Sequence, residues 1–130
     1  MSLAFDTSVL IAIERGDENI LNKLKELYER YPLSPHLPFM VHFEFSYGLK
    51  KRKPKRVEDL FDFLNSFPLL DLGFKTSDIL SDLKLKYEKK GLSFSLSDLL
   101  IAAQVIENDL ILVTRDRDFE GIRELKKIIL

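Results

Sequence analysis

The segment Leu110-Ile111-Leu112-Val113 constrains the fold more than any other part of this 130-residue chain. Four apolar residues in unbroken succession, with no polar alternation, suit a strand whose sheet is covered on both faces. Just before it, Leu96 to Glu107 reads as a helix with apolar residues around most of its circumference, which implies burial on both sides. A buried strand fed by a buried helix is the repeating unit of a parallel α/β layer. Leu3 to Phe5 reads as a short buried strand, followed by a helix from Ser8 to Arg15 that Gly16 stops. Glu18 to Tyr31 has amphipathic helical spacing in Ile20, Leu21, Leu24, Leu27 and Tyr28, and Pro32 ends it. After a broken stretch from Leu33 to Pro38, helices are expected from Phe39 to Lys50 and, beyond Pro54, from Val57 to Phe67. Leu69 to Leu72 is expected as a strand, Thr76 to Lys90 as a long helix stopped by Gly91, and Lys127 to Leu130 as a last strand. The expected architecture is one α/β domain over residues 1–130, a three-layer sandwich with a central parallel β-sheet covered by helices.

Composition narrows the chemistry. Hydrophobic residues make up 45% of the chain, enough for a substantial core. Twenty basic residues against 21 acidic ones leave a net charge of -1, so nucleic-acid affinity has to come from local patches and not from a global field. The absence of cysteine excludes disulfides, thiolate metal sites and cysteine nucleophiles together. The five glycines are isolated, which excludes phosphate-cradling loops of the Walker and dinucleotide kinds. The apolar run Leu3 to Ile13 lacks a basic lead-in and is interrupted by Asp6, so it does not read as a signal peptide, and no stretch reaches the length of a membrane span. The expected location is the cytoplasm.

Against this background four acidic residues stand out. Asp6 follows the first strand, Glu44 lies between Phe43 and Phe45, Asp98 opens Ser97-Asp98-Leu99-Leu100-Ile101-Ala102-Ala103, and Asp116 follows the apolar strand in Val113-Thr114-Arg115-Asp116. A carboxylate beside apolar residues is costly unless it is paired, and a bound cation is the strongest partner available. Functional groups of open parallel sheets collect beyond the carboxyl ends of the strands, where Asp6 and Asp116 fall. Each residue also has an ordinary structural role open to it. Asp6 can cap the next helix, and Asp98 stands three after Ser95 in a near-capping-box. Asp116 can be a turn residue. Glu44 is harder to place, because Phe39 to Phe45 reads as apolar on nearly all sides, and a buried glutamate without a partner is protonated or destabilising.

These motifs in this order, Asp6-Thr7-Ser8 after a strand, Glu44 four before Gly48, Ser97 to Ala103, and Leu112-Val113-Thr114-Arg115-Asp116-Arg117-Asp118-Phe119, resemble the PIN-domain ribonucleases, above all VapC-type toxins of toxin–antitoxin pairs. The resemblance covers the chain from Leu3 to about Phe119. It implies a Mg²⁺- or Mn²⁺-dependent endoribonuclease with Asp6, Glu44, Asp98 and Asp116 as its acidic quartet and Thr7 and Thr114 as supporting hydroxyls. Asp118 competes with Asp116 for the fourth place. The resemblance also implies a homodimer and a cognate antitoxin protein that silences the active site. Water activated at a carboxylate-held cation would cut an RNA phosphodiester, leaving a 5′-phosphate and a 3′-hydroxyl.

Lys50-Lys51-Arg52-Lys53-Pro54-Lys55-Arg56 holds six basic residues in seven and is a candidate contact to the RNA backbone, as are Arg115 and Arg117. A solvated inter-helix loop is the plainer role for the run, and an acidic antitoxin segment is another partner for it. His36 and His42 fit no zinc spacing, and only His42 lies where it could assist a metal-free ribonuclease. The four tyrosines read as packing residues, and Phe61, Phe63 and Phe67 as core or a dimer face. Two readings compete with the nuclease. A phospho-accepting receiver domain would want a second acid beside Asp6, where Thr7 and Ser8 stand instead. A catalytically silent PIN-like domain that binds RNA or protein would need no intact quartet.

Overall fold

The computed structural model describes residues 1–130. The elements follow in the order β1 (Leu3–Phe5), α1 (Thr7–Glu14), α2 (Glu18–Arg30), α3 (Phe39–Arg52), α4 (Val57–Asn65), α5 (Phe74–Lys89), α6 (Leu96–Glu107), β2 (Ile111–Thr114), a 3-10 helix (Arg117–Gly121) and β3 (Lys127–Ile129). The three strands form one parallel sheet in the order β1-β2-β3, with Phe5 opposite Val113 and Thr114 opposite Ile129. β1 and β2 are buried along nearly their whole length, as the apolar run in β2 requires. The result is an α/β sandwich with a central parallel sheet between helical layers, as expected.

The sheet does not end at β1. Ala4 forms a parallel bridge to His36, and Leu37 forms another to Leu69. Phe5 N donates to His36 O at 3.0 Å, His36 N to Leu3 O at 2.9 Å, and Leu70 N to Leu37 O at 2.9 Å. Two segments therefore line up beside β1, each for the length of a single bridge. This corrects the expected strand Leu69 to Leu72, which pairs only at its first residues, and gives sheet character to the stretch Leu33 to Pro38. The prolines explain the brevity: Pro35, Pro38 and Pro68 have no N–H to continue a ladder.

Gln104, a fully buried polar residue of α6, holds this margin in place. Its Oε1 accepts from Phe39 N at 2.9 Å, and its Nε2 donates to Leu70 O at 3.1 Å and Asp71 O at 3.2 Å. One side chain thus satisfies the start of α3 and the end of the 69–70 bridge segment. The core runs from Leu3 to Leu125 through Val9, Leu10, Leu49, Ile101 and Leu112. Phe63 and Phe67 meet edge-on at 5.2 Å between ring centroids and pack against the core through Phe45 and Phe5, so the core role expected of them holds. α5 packs along α6, α1 along α2 and α3, and α3 along α4 and α6. This packing brings the start of α1, the middle of α3 and the start of α6 to the carboxyl end of the sheet.

Candidate active site

Asp6 leaves the end of β1 and is almost fully buried. It occupies the N-cap position of α1, but its side chain caps nothing. Its Oδ2 instead accepts from Ser8 Oγ at 2.9 Å and from Thr114 Oγ1 at 2.8 Å. The β1–β2 register explains the second bond, because pairing Phe5 with Val113 sets Asp6 beside Thr114. Thr114 Oγ1 also accepts from Asp116 N at 2.9 Å, and Ser8 Oγ accepts from Arg115 N at 3.0 Å. Two hydroxyls therefore clamp the chain leaving β1 to the chain leaving β2. Sequence reasoning passed over Ser8; its signal was its place two after Asp6.

Asp98 stands in the first turn of α6. The helix is capped by Ser95, whose Oγ accepts from Asp98 N at 3.1 Å, so the cap expected there exists and leaves the Asp98 carboxylate free. Asp116 is an N-cap, its Oδ1 accepting from Asp118 N at 2.9 Å. The tight turn this creates brings Asp116 and Asp118 to the same spot. Asp98, Asp116 and Asp118 each present a ligand atom within 4.8 Å of the others. Asp116 and Asp118, the two candidates for the fourth acidic place, thus stand together in this cluster with Asp98.

Glu44 comes from the middle of α3. Its Oε1 accepts from Thr7 Oγ1 at 3.3 Å and lies 3.5 Å from Ser97 Oγ. The expectation that Glu44 is enclosed by apolar residues is corrected. The residue is exposed overall, because Phe43 beside it points into solvent with half its surface free. The carboxyl end is nonetheless partly desolvated. That burial raises its pKa above the ordinary glutamate value; the Thr7 hydroxyl opposes the shift, and the charges of Asp6 and Asp98 add to it. Asp98 is raised likewise, first by burial, with Ser95 opposing and Asp116, Asp6 and Asp118 contributing. Glu44 and Asp98 thus feel the charges of Asp6, Asp116 and Asp118 between them, so the five carboxylates share one electrostatic neighbourhood.

No lysine or arginine neutralises any of the five. Arg115 turns to Asp17 at 3.7 Å, Arg117 to Glu120 at 2.8 Å, and Arg52 to Glu14 at 3.0 Å. A cleft of about 160 Å³ between α1 and α3 opens beside Thr7 and Glu44, with Arg15 and Arg52 on its far wall. Lys50, Lys51 and Lys53 at the end of α3 form no ion pair, and Lys53 takes a left-handed conformation before Pro54. His42 is tied to Asn65 at 2.8 Å and touches none of the carboxylates. The donor set is all oxygen, anionic and clustered, with neither imidazole nor thiolate, and such a set suits hard divalent ions of the Mg²⁺ and Mn²⁺ kind.

Strand ends of a parallel α/β sheet that carry clustered, unneutralised carboxylates define a class of acidic-site α/β proteins. Comparison with known proteins narrows the class. The PIN domain family profile matches residues 3–125, and the chain belongs to that family. It is 32% identical, over 97% of its length and 94% of the relative's, to Ribonuclease VapC of Rickettsia bellii. Among solved structures it resembles VapBC2 from Rickettsia felis bound to a promoter DNA fragment, with a TM-score of 0.82 and 26% identity over 100% of this chain and 99% of that one. DNA-bound VapBC from Salmonella typhimurium shares the fold, with a TM-score of 0.82 and 20% identity over 99% and 98% of the two chains.

Proposed function

We propose that the chain is a metal-dependent endoribonuclease acting as the toxin of a toxin–antitoxin pair. One observation carries the reading: Asp98, Asp116 and Asp118 converge to within 4.8 Å of one another, while the flanking Arg115 and Arg117 pair with Asp17 and Glu120 instead. The kinship with a protein named Ribonuclease VapC and with VapBC complexes supports RNA as the substrate class and an antitoxin as the partner. A homodimer of single PIN-like units working in the cytoplasm completes the proposal.

Asp98, Asp116 and Asp118 are the residues that would hold Mg²⁺ or Mn²⁺. An ion held by these residues would contribute Lewis-acid activation of water and charge neutralisation at the phosphodiester. Asp6 is fixed through its Oδ2 by Thr114 and Ser8, which leaves its other carboxyl oxygen without a side-chain donor. Glu44, its Oε1 accepting from Thr7, would take a proton at its other carboxyl oxygen. The unpaired lysines at the end of α3 offer contacts to the phosphate backbone of a bound strand.

The test compares the wild type with Asp98→Asn, free of any antitoxin, on single-stranded and structured RNA with Mg²⁺, Mn²⁺ or EDTA. The proposal expects cleavage with either metal, none in EDTA, and a loss in the variant beyond the roughly 10–100-fold typical of residues that only support a ligand. Cleavage that survives EDTA would overturn the metal dependence. Absence of both cleavage and metal binding in the wild type would leave a silent PIN-like binding domain.

A further inference from the structure

The cleft between α1 and α3 changes sign along its length. Thr7 and Glu44 line its inner end, tied to each other by the 3.3 Å hydrogen bond between the two helices. Ser97, next to Asp98, stands 3.5 Å from Glu44 there, so this end adjoins the acidic cluster. Arg15 and Arg52 line the outer end. Glu44 and Arg52 lie on the same helix, about 12 Å apart along its axis.

The two arginines differ in what the fold gives them. Arg52 donates to Glu14 through Nη1 at 3.2 Å and Nη2 at 3.0 Å, a fork that offsets its charge and fixes its plane. Three of its five N–H donors remain free of that fork. Arg15 stands at the C-cap of α1, exposed, and pairs with no carboxylate. An uncompensated positive charge therefore faces a concave wall. Between the two ends lies Gly48. Only proline suits a helix interior less than glycine. Gly48 has no positive φ, and a Cβ there would meet nothing within 4 Å, so neither backbone strain nor close packing calls for it. A larger side chain at this position would instead fill the cleft.

We infer that this cleft is a subsite for a backbone phosphate of the RNA next to the one that is cut. Arg15 carries the net charge that draws the phosphate, Arg52 offers donors already fixed in a plane, and Gly48 keeps the floor open. A guanidinium matches phosphate oxygens with paired N–H donors, which a lysine cannot do. The identity of the anion as an RNA phosphate rests on the ribonuclease reading above; the polarity of the cleft rests on α1 and α3 themselves. A cut at the acidic end with an anchored phosphate at the basic end requires a strand that continues beyond the cut.

The test measures fluorescence anisotropy of a labelled 12-nucleotide single-stranded RNA, in Mg²⁺, on full-length Asp98→Asn protein that leaves the RNA intact. On this background Arg15→Gln should weaken binding by about tenfold and lower the salt slope by about one. Lys75→Gln makes the same charge change at the start of α5, beside the far end of α6, and should do neither. Gly48→Leu should weaken binding by filling the cleft, while Gly48→Ala should raise the unfolding temperature. Cleavage is measured in parallel with Asp98 restored, on RNA whose linkages flanking the cut are replaced one at a time by a neutral methylphosphonate. One placement should raise KM about tenfold in the wild type with kcat kept, and leave Arg15→Gln unaffected. Unchanged RNA affinity in Arg15→Gln, no RNA binding at all, or equal methylphosphonate effects in both proteins would overturn the subsite. A lower unfolding temperature in Gly48→Ala would remove the glycine's part in it. Loss of polyglutamate binding in Arg15→Gln with RNA affinity unchanged would overturn it too, assigning the cleft to an acidic peptide. Cutting that ignores Arg15 sinks the subsite alone, and Arg15-dependent RNA binding without cutting sinks the nuclease alone.

Discussion

Thr114 does more at the site than its size suggests. Its hydroxyl donates to Asp6 and accepts from the backbone N–H of Asp116, so one buried oxygen sets the positions of two acidic residues from different loops. Thr114→Val keeps the shape and removes both bonds. A buried carboxylate that loses a donor costs about 1–3 kcal/mol, and a residue that orients metal-holding groups is worth roughly 10–100-fold in metal affinity or activity. Thermal unfolding and a metal titration of the variant should both register the loss. Asp98 behaves in the opposite sense. Its raised pKa means the folded protein holds the charged form poorly, so above that pKa the carboxylate works against the fold. Asp98→Asn should therefore unfold at higher temperature than the wild type at neutral pH in EDTA, by up to about 1 kcal/mol as for other screened charge pairs. A lower unfolding temperature in EDTA would contradict the crowding of charge at this rim. Asp6 and Asp116 could be named from the sequence because a strand end is where an α/β fold displays groups. Their hydroxyl partners could not, because the bond from Thr114 to Asp6 spans 108 residues and depends on register alone.

At the scale of the element, the polar contacts that fasten helices decide stability. Gln104→Leu on α6 would strand the buried carbonyl of Leu70 and leave the half-buried N–H of Phe39 and carbonyl of Asp71 without their partner. A loss of about 1–3 kcal/mol, read in denaturant unfolding, is expected for such unsatisfied groups. α5 is fastened to the chain before β3 in a different way. Tyr87 donates to Glu124 and accepts from Arg123 N, while Lys86 reaches Glu124 at 2.7 Å. Burial pushes the Glu124 carboxyl upward, but the bonds from Lys86 and Tyr87 outweigh it and bring the pKa down to about 2. A depressed carboxylate stabilises the fold above its unfolded value of 4.5 and loses that contribution as pH falls toward 2. Glu124→Gln should be less stable than wild type at pH 7, with the gap closing across that acid window. The long helices themselves were readable, since periodicity, prolines and glycines mark them. The segments beside β1 were not, because a single bridge leaves no alternation to read, and α3 misled because Phe43 does not join the core.

Across the whole molecule, the fold explains why charges scattered from residue 6 to residue 118 meet. β1 and β2 are adjacent and parallel, so their exits share one edge, and α6 begins beside that edge because it must return to feed β2. Crossing α1, α3 brings Glu44 over the same rim. The sequence alone could place the strand-end acids there. It could not say that Asp98, Asp116 and Asp118 approach one another while Asp6 is held by hydroxyls, because that division depends on the tight turn after Thr114. The central claim is that this gathering is a divalent-cation site. The most direct measurement is a calorimetric titration of Mn²⁺ into the wild type and Asp98→Asn, with thermal unfolding read on the same samples. Saturable binding to the wild type, weakened at least tenfold in the variant, is the predicted result, with the wild type stabilised by about 2.7 kcal/mol at a hundredfold excess of metal over Kd. No binding to the wild type, or equal binding to both proteins, would contradict it.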